Sequence, residues 1–304
     1  MEERQYILTS YSDALRISVL VLEPDMEPWA ILQISHGMCG CKERYLPVME
    51  FMAGHGVLCI ANDHRGHGGS VRHYDDLGYM YDAGYKALVD DMKLVTQSVR
   101  NKYPDLPLFL LGHSMGSLAA RIYAKSCDDR LSGLILSGTP HDTSNAMART
   151  LLGLLCDMGM ARMRLHRIQR MASDRLNRPF ADEGFQAWTC SDPKFRTAFL
   201  NDPVCNFTFT VNGTFNLMSM MREAYSKDSW HVGNPSLPVI LMYGAEDPCV
   251  NGGRSIRQTH ALYTAMGYED IREMEYPSMR HEILNEVGKE RVWNDILDVI
   301  KKNA

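Results

Sequence analysis

Short runs of apolar residues alternate with segments of helical periodicity at both ends of the chain. The apolar runs predict strands over Gln5–Thr9, Leu15–Leu22, Trp29–Ser35, Val57–Asn62, Leu108–Leu111, Leu134–Ser137, Leu237–Tyr243 and Ile271–Tyr276. The helical spacing predicts helices over Glu43–Gly54, Gly84–Lys102, Ser117–Ser126, Gly253–Met266 and Glu282–Lys301. Strands that alternate with helices predict an α/β fold, with a mostly parallel sheet and helices on both of its faces.

This alternation is interrupted between residues 141 and 235. The block is rich in Met, Arg, Phe, Asn and Thr, and no strand alternates with a helix within it. We therefore expect an insertion, residues 141–235, in a core formed by residues 1–140 and 236–304. Insertions leave such sheets at the carboxyl ends of strands, where ligands also bind. The block is thus expected to lie near the functional site.

Composition and charge exclude several classes of protein. Of the 304 residues, 45% are hydrophobic and 23% are charged, as in ordinary globular proteins. A net charge of −5 gives no electrostatic reason to bind nucleic acid or an anionic membrane. No run of about 18 apolar residues predicts a membrane-spanning helix, and the first residues lack the pattern of an export signal. We therefore expect a cytoplasmic protein whose eight cysteines are free, buried thiols.

The sharpest chemical signal is a Gly-His-Ser-Met-Gly motif at residues 112–116. It follows a predicted strand and precedes a predicted helix, which is the context of a nucleophile elbow. The alternative is a chance occurrence of the pattern in an ordinary turn. A serine hydroxyl needs a base to remove its proton. If Ser114 is the nucleophile, an acid and then a histidine should follow later in the chain.

Asp247 and Glu246 are the candidates for the acid, because both follow the predicted strand Leu237–Tyr243. We predict Asp247, since Pro248 fixes a turn that can hold its carboxylate. The alternative is that either acid simply caps the following helix. The candidate base is His281, the histidine that follows the last predicted strand. Asp247 would then hold the tautomer of His281 that accepts the serine proton.

Acyl transfer also needs two backbone N–H donors for the oxyanion. Met115, directly after the nucleophile, is one candidate, and Met38, in the loop after the third strand, is the other. Such chemistry needs no cofactor. The run Asp63 to Gly68 is dense in ionisable groups, but its two histidines do not establish converging ligands. We expect it to be a structural loop, and we expect no metal.

Five motifs occur in a characteristic order: His36-Gly37-Met38, Asp63 to Gly68, residues 112–116, Gly244 to Pro248, and Arg280 to Glu286. Together they resemble the monoacylglycerol lipase and lysophospholipase branch of the α/β-hydrolases, which is often labelled serine-aminopeptidase-like. The resemblance spans nearly the whole chain. It implies an eight-stranded sheet with a helical cap and a triad of Ser114, Asp247 and His281. A local departure is Cys39-Gly40-Cys41, where relatives often carry a small residue and an acid–histidine pair.

These residues, with the resemblance, predict a serine carboxylic-ester hydrolase. The resemblance implies single-chain ester or lipid substrates, such as monoacylglycerols, lysophospholipids or short acyl esters. The methionine-rich insertion then forms a lid over an acyl-chain pocket, or it is a helical subdomain whose methionines fill its own core. An aminopeptidase-type serine peptidase and an acyltransferase are alternatives. A non-catalytic binding module is less well supported, because serine, acid and histidine are all present in order.

Overall fold

The computed structural model describes all 304 residues and places eight strands in one sheet. The strands are β1 (Glu2–Thr9), β2 (Arg16–Glu23), β3 (Ala30–Ser35), β4 (Val57–Asn62), β5 (Leu108–His113), β6 (Gly133–Ser137), β7 (Val239–Gly244) and β8 (Ile271–Tyr276). Their order across the sheet is β1-β2-β4-β3-β5-β6-β7-β8. β2 is antiparallel to both of its neighbours, and all other pairs are parallel. The predicted eight-stranded, mostly parallel sheet is confirmed.

Helices cover both faces of the sheet. They are α1 (Leu46–Gly54), α2 (Gly84–Lys102), α3 (Met115–Cys127), α4 (Ala146–Leu155), α5 (His166–Asn177), α6 (Pro193–Asn201), α7 (Val211–Tyr225), α8 (Arg254–Met266) and α9 (Lys289–Asn303). Side chains of α2, α3 and α8 join the core on one face, and those of α1 and α9 join the core on the other. Strands β3, β4 and β5 are therefore buried on both faces, which explains their continuous apolar runs. None of the helices combines the length and the apolar character needed to cross a bilayer.

The last helix begins later than its sequence pattern predicts. We expected a helix from Glu282, but α9 begins at Lys289. The side chains of Glu282 and Glu286 are buried in a loop, where Glu286 accepts a hydrogen bond from the backbone N–H of Ser191 at 2.7 Å. Gly288 has a φ of 81°, a left-handed conformation that an α-helix cannot pass through. The helical spacing of residues 282–288 therefore reflects buried loop contacts.

The inserted segment, residues 141–235, lies between β6 and β7 and carries α4 to α7. Helix α7 packs against α2 and α3 of the core, and α4 packs against α7. Arg164 extends the attachment by donating a hydrogen bond to the carbonyl oxygen of Leu77 at 2.9 Å. Arg162 forms an ion pair with the buried Asp76. The inserted segment is thus fastened to the loop that connects β4 to α2.

Candidate active site

Ser114 lies in the turn between β5 and α3. Its backbone has a φ of 53° and a ψ of −119°, which is strained for a residue with a Cβ atom. The flanking glycines allow this turn. A Cβ atom on Gly112 would lie 2.5 Å from the carbonyl oxygen of Gly116, and one on Gly116 would overlap the carbonyl oxygen of Ser35. The turn therefore accepts no side chain at either position, and it holds the Ser114 hydroxyl at the carboxyl end of the sheet.

The structure brings Ser114, His281 and Asp247 together. The Nε2 atom of His281 lies 2.8 Å from the Oγ atom of Ser114, and its Nδ1 atom lies 2.8 Å from Oδ2 of Asp247. Asp247 follows β7 and His281 follows β8, so two adjacent parallel strands deliver them to the same edge. The Asp247 carboxylate is fully buried, and the His281 side chain is 4% exposed. This geometry can relay a proton between a hydroxyl and an imidazole that a carboxylate orients.

The turn after β7 fixes the second oxygen of the Asp247 carboxylate. Oδ1 accepts a hydrogen bond from the backbone N–H of Cys249 at 2.8 Å, and Pro248 begins a short 3-10 turn. Asp247 therefore caps this turn with one oxygen and contacts His281 with the other. Glu246, the other candidate acid, is exposed and lies 3.8 Å from the guanidinium of Arg280. Glu246 makes no hydrogen bond to the imidazole of His281.

The two predicted oxyanion donors belong to two turns that lie next to Ser114. Met115 is the first residue of α3. Met38 lies in the loop after β3, and a Cβ atom on the adjacent Gly37 would lie 3.3 Å from the Cβ atom of Ser114. The N–H of Met38 donates no backbone hydrogen bond, so it is free to bind an oxyanion. His36 Nδ1 donates to the carbonyl oxygen of Gly37 at 2.8 Å, which fixes the peptide unit that carries the Met38 N–H.

Sequence reasoning missed the support that the inserted segment gives to the histidine loop. Arg280 donates a hydrogen bond to the carbonyl oxygen of Ala187 at 2.8 Å and forms an ion pair with Glu183 at 2.6 Å. The ring of Trp188 packs on the imidazole of His281, with 5.2 Å between ring centroids. The only sequence signal was that Arg280 precedes His281. Its partners lie more than 90 positions away in the sequence, and a single sequence does not show which residues so far apart are in contact.

The loop from Asp63 to Gly68 contacts the loop that carries Met38. Asp63 forms a buried ion pair with Lys42 at 2.7 Å. Gly68 has a φ of 47°, and a Cβ atom there would overlap the Asp63 carboxylate. Burial lowers the pKa of His67 and of His36 to about 3, so both imidazoles are neutral. The loop therefore supports the loop that carries Met38.

Two groups of side chains elsewhere bring potential metal-ligand atoms within 4.8 Å of one another. One group consists of Asp247, Cys249 and His281, so it shares two residues with the Ser114 site. The other consists of Cys41, Asp202 and Cys205, and it joins the loop after β3 to the inserted segment. Only the second group is separate from the residues around Ser114.

Comparison with known proteins gives the same fold and family. The model of the family described as "Serine aminopeptidase, S33" matches residues 26–288. The monoacylglycerol lipase of Mycolicibacterium smegmatis is 23% identical over 285 residues, which cover 93% of this chain and 91% of that protein. The monoglyceride lipase of Mus musculus is 26% identical and covers 88% of this chain and 83% of that protein. The crystal structure of a highly thermostable carboxyl esterase from Bacillus coagulans in complex with glycerol has a TM-score of 0.88 and 27% identity, and the match covers 100% of this chain and 99% of that chain.

The family model covers most of the chain, and the matched relatives align over most of their own length. The resemblance that the five motifs indicate is therefore confirmed at the level of the family. The chain belongs to the serine aminopeptidase family of the α/β-hydrolases.

Proposed function

We propose that this chain is a serine carboxylic-ester hydrolase in which Ser114 is the nucleophile, His281 the general base and Asp247 the orienting acid. The chain is a hydrolase of the lipase and esterase type, as its family and its relatives indicate. The assignment of residues rests on one observation. Two contacts of 2.8 Å connect the Ser114 hydroxyl through the His281 ring to the Asp247 carboxylate.

The proposed reaction has two halves that use the same groups. His281 Nε2 takes the Ser114 proton as Oγ attacks the ester carbonyl, and the N–H groups of Met38 and Met115 stabilise the resulting oxyanion. The bond to the alcohol oxygen breaks as His281 returns the proton to that oxygen, which leaves an acyl group on Ser114. Water then gives a proton to His281 and attacks the acyl carbonyl. The acid leaves, and Ser114 regains its proton.

The pH dependence of the reaction should follow the protonation state of His281. Burial is the largest single effect and disfavours the charged imidazole, but the Asp247 carboxylate and the Cys249 sulfur together raise the pKa of His281 well above its ordinary value of 6.5. A general base must be neutral, so kcat/KM is expected to rise as His281 loses its proton, with a midpoint above pH 6.5. A pH profile of kcat/KM on a soluble ester measures this midpoint. A flat profile, or an acidic limb centred below pH 6.5, would contradict the role of His281.

We propose that the inserted segment, residues 141–235, acts as a cap on the core of residues 1–140 and 236–304. Trp188 of this segment packs on the ring of His281, which supports a position over the site. Exposed apolar side chains are concentrated on α4 and the turn after it: Met147, Leu151, Leu154 and Met158. Methionine-rich apolar surfaces suit variable acyl chains. With relatives named monoacylglycerol lipase and monoglyceride lipase, these features support single-chain esters as substrates, including monoacylglycerols, lysophospholipids and short acyl esters.

A series of p-nitrophenyl esters from acetate to palmitate tests the substrate class. We expect kcat/KM to peak at medium or long acyl chains, because apolar contact with the cap favours each added methylene. The Ser114→Ala variant provides the blank for spontaneous hydrolysis. Activity confined to acetate would mean that the cap closes the acyl pocket, and the lipase assignment would then be wrong. If none of the esters is cleaved in a Ser114-dependent way, the ester-hydrolase proposal is wrong.

The aminopeptidase alternative is less well supported by the charges of the inserted segment. A peptidase of this kind needs an unpaired carboxylate for the substrate ammonium group. Of the four acids of this segment that could hold the ammonium group, Asp174, Glu183 and Glu223 each form an ion pair with an arginine or a lysine of this chain. Asp182 is exposed and is the remaining candidate. We therefore expect aryl esters to be cleaved in preference to aminoacyl arylamides. Comparable kcat/KM values on both substrate classes would favour the peptidase.

We also propose a cytoplasmic location. The eight cysteines are free thiols in the structure, the state that a reducing compartment maintains. Fractionation of cells that produce the full-length protein tests this location. Recovery from the cell envelope or the medium would contradict it.

A further inference from the structure

Two cysteines from distant parts of the chain meet beside the loop that carries Met38. Cys41 follows β3, Cys205 belongs to the inserted segment, and their sulfur atoms lie 3.6 Å apart. Both side chains are buried. Asp202 lies next to them, with a carboxylate oxygen within 4.8 Å of each sulfur atom. None of these three residues contacts the Ser114 hydroxyl or the His281 ring through a hydrogen bond.

The spacing of the two sulfur atoms fits a tetrahedral metal site better than it fits a disulfide. Two zinc–thiolate bonds of about 2.3 Å at the tetrahedral angle place the sulfur atoms about 3.8 Å apart. The observed distance is 3.6 Å. A disulfide needs about 2.05 Å, so the two segments would have to move towards each other. The Asp202 carboxylate supplies a third ligand, and water can take the fourth position.

Hydrogen bonds hold the two segments together without help from a metal. The backbone N–H of Asn206 donates to the carbonyl oxygen of Cys39 at 3.2 Å, and the thiol of Cys39 donates to the carbonyl oxygen of Phe207 at 3.0 Å. The turn before Asn206 is closed by the N–H of Cys205, which donates to the carbonyl oxygen of Asp202 at 3.1 Å. The three ligand atoms are therefore arranged in advance, which lowers the entropic cost of binding an ion.

The chemistry of the ligand atoms favours an ion that prefers sulfur. A divalent ion that prefers sulfur ligands can replace the two thiol protons, which pass to solvent. Thiolates favour Zn²⁺ over Mg²⁺ and Ca²⁺, which prefer oxygen ligands.

We propose that Cys41, Cys205 and Asp202 form a binding site for Zn²⁺. The bound ion connects the inserted segment to the loop after β3, in which Met38 lies three residues before Cys41. Its role is structural, because it fastens the segment next to a proposed oxyanion donor and takes no part in ester cleavage. The pair also gives a role to Cys41, one of the positions at which the chain departs from the resembled family.

Titration of the reduced, metal-free full-length chain with Co²⁺ tests this site. Thiolate-bound tetrahedral Co²⁺ has a charge-transfer band and strong visible bands that report its ligands directly. We expect saturation at one ion per chain, displacement by Zn²⁺, and a Zn²⁺-dependent rise in Tm. In Cys41→Ser and Cys205→Ser the Kd for Co²⁺ should rise more than about 100-fold. Loss of a residue that only supports a metal ligand can cost up to about 100-fold in affinity, and these variants lose a ligand itself. Asp202→Asn should weaken binding but keep the thiolate band.

Two matched variants separate this site from other thiols. Cys127→Ser removes a buried cysteine at the end of α3, and Cys249→Ser removes the thiol beside His281. Both should keep the wild-type Co²⁺ spectrum. Loss of the band in Cys249→Ser with retention in Cys41→Ser would place the ion beside His281 and overturn the proposal. So would a wild-type chain that shows neither a thiolate band nor a rise in Tm, or one in which mass spectrometry finds Cys41 and Cys205 joined as a disulfide that excludes the ion.

Discussion

The Ser114→Ala variant is expected to lose ester hydrolysis by about 10⁶-fold in kcat, the loss that follows when the nucleophile of such a triad is removed. No neighbouring group can replace the hydroxyl, because the strained turn presents only this side chain to the Nε2 atom of His281. The substitution removes one oxygen atom from a half-buried position, so the chain should remain folded. Steady-state kinetics on p-nitrophenyl esters, together with labelling by a fluorophosphonate probe, measure the loss.

Ser126→Ala is the matched control for this experiment. Ser126 is an exposed serine on α3, the helix that follows Ser114, so this variant should keep wild-type activity and labelling. Fluorophosphonate labelling that persists in a clean preparation of Ser114→Ala would show that another residue is the nucleophile. A wild-type chain that the probe fails to label would instead favour the non-catalytic binding module.

The sheet is predictable from sequence where burial acts on both faces of a strand. The predicted strand Val57–Asn62 has the same bounds as β4, because all six residues are buried and the first five are apolar. At the edge of the sheet the apolar pattern that predicts a strand is weaker. The strand predicted over Gln5–Thr9 begins at Glu2, since the first residues of β1 are exposed and polar but still pair with β2. Backbone pairing with a neighbour extends this strand, and that pairing leaves no apolar pattern.

The site is predictable for a different reason. Ser114 lies in a turn whose backbone leaves no room for side chains on its neighbours. The glycines at positions 112 and 116 are therefore visible in the local sequence. Asp247 and His281 each follow a strand, so the order of elements leaves His281 as the candidate base and Glu246 and Asp247 as the candidate acids, between which Pro248 favours Asp247. Contacts between residues that are far apart in the chain leave no local pattern in the sequence. Nothing near Trp188 in the sequence indicates that its ring packs on His281, because the fold alone brings the inserted segment to the histidine loop.

The same limit applies to Cys41 and Cys205, which are separated by 164 positions. In the sequence they are two of eight scattered cysteines, and the close pair of Cys39 and Cys41 is the more conspicuous feature. The structure separates their roles. The thiol of Cys39 donates a hydrogen bond to the carbonyl oxygen of Phe207, and burial raises the pKa of this thiol to about 12. The sulfur atom of Cys41 instead faces that of Cys205. Burial of Cys39 and Cys41 agrees with the sequence-based expectation of buried thiols.

Asp247→Asn is expected to lower kcat/KM by about 10⁴-fold while the chain stays folded. An asparagine amide would donate a hydrogen bond to Nδ1 of His281. That bond would leave the proton of the neutral ring on Nε2, which then cannot accept the Ser114 proton. The amide oxygen can still accept the hydrogen bond from the Cys249 N–H, which is 2.8 Å long in the wild type, so the turn remains capped. The pH midpoint should also fall, since no carboxylate then raises the pKa of His281.

Glu246→Gln is the control that separates the two candidate acids. Glu246 precedes Asp247 in the same turn, but it is exposed and makes no hydrogen bond to His281, so wild-type kcat/KM is expected. Circular dichroism and Tm of both variants show whether a loss of activity comes from unfolding. Inactivation by Glu246→Gln alone would exchange the roles of the two acids. Equal losses in the two folded variants would mean that both acids act by holding the turn after β7. The proposal that Asp247 orients the imidazole would then be wrong.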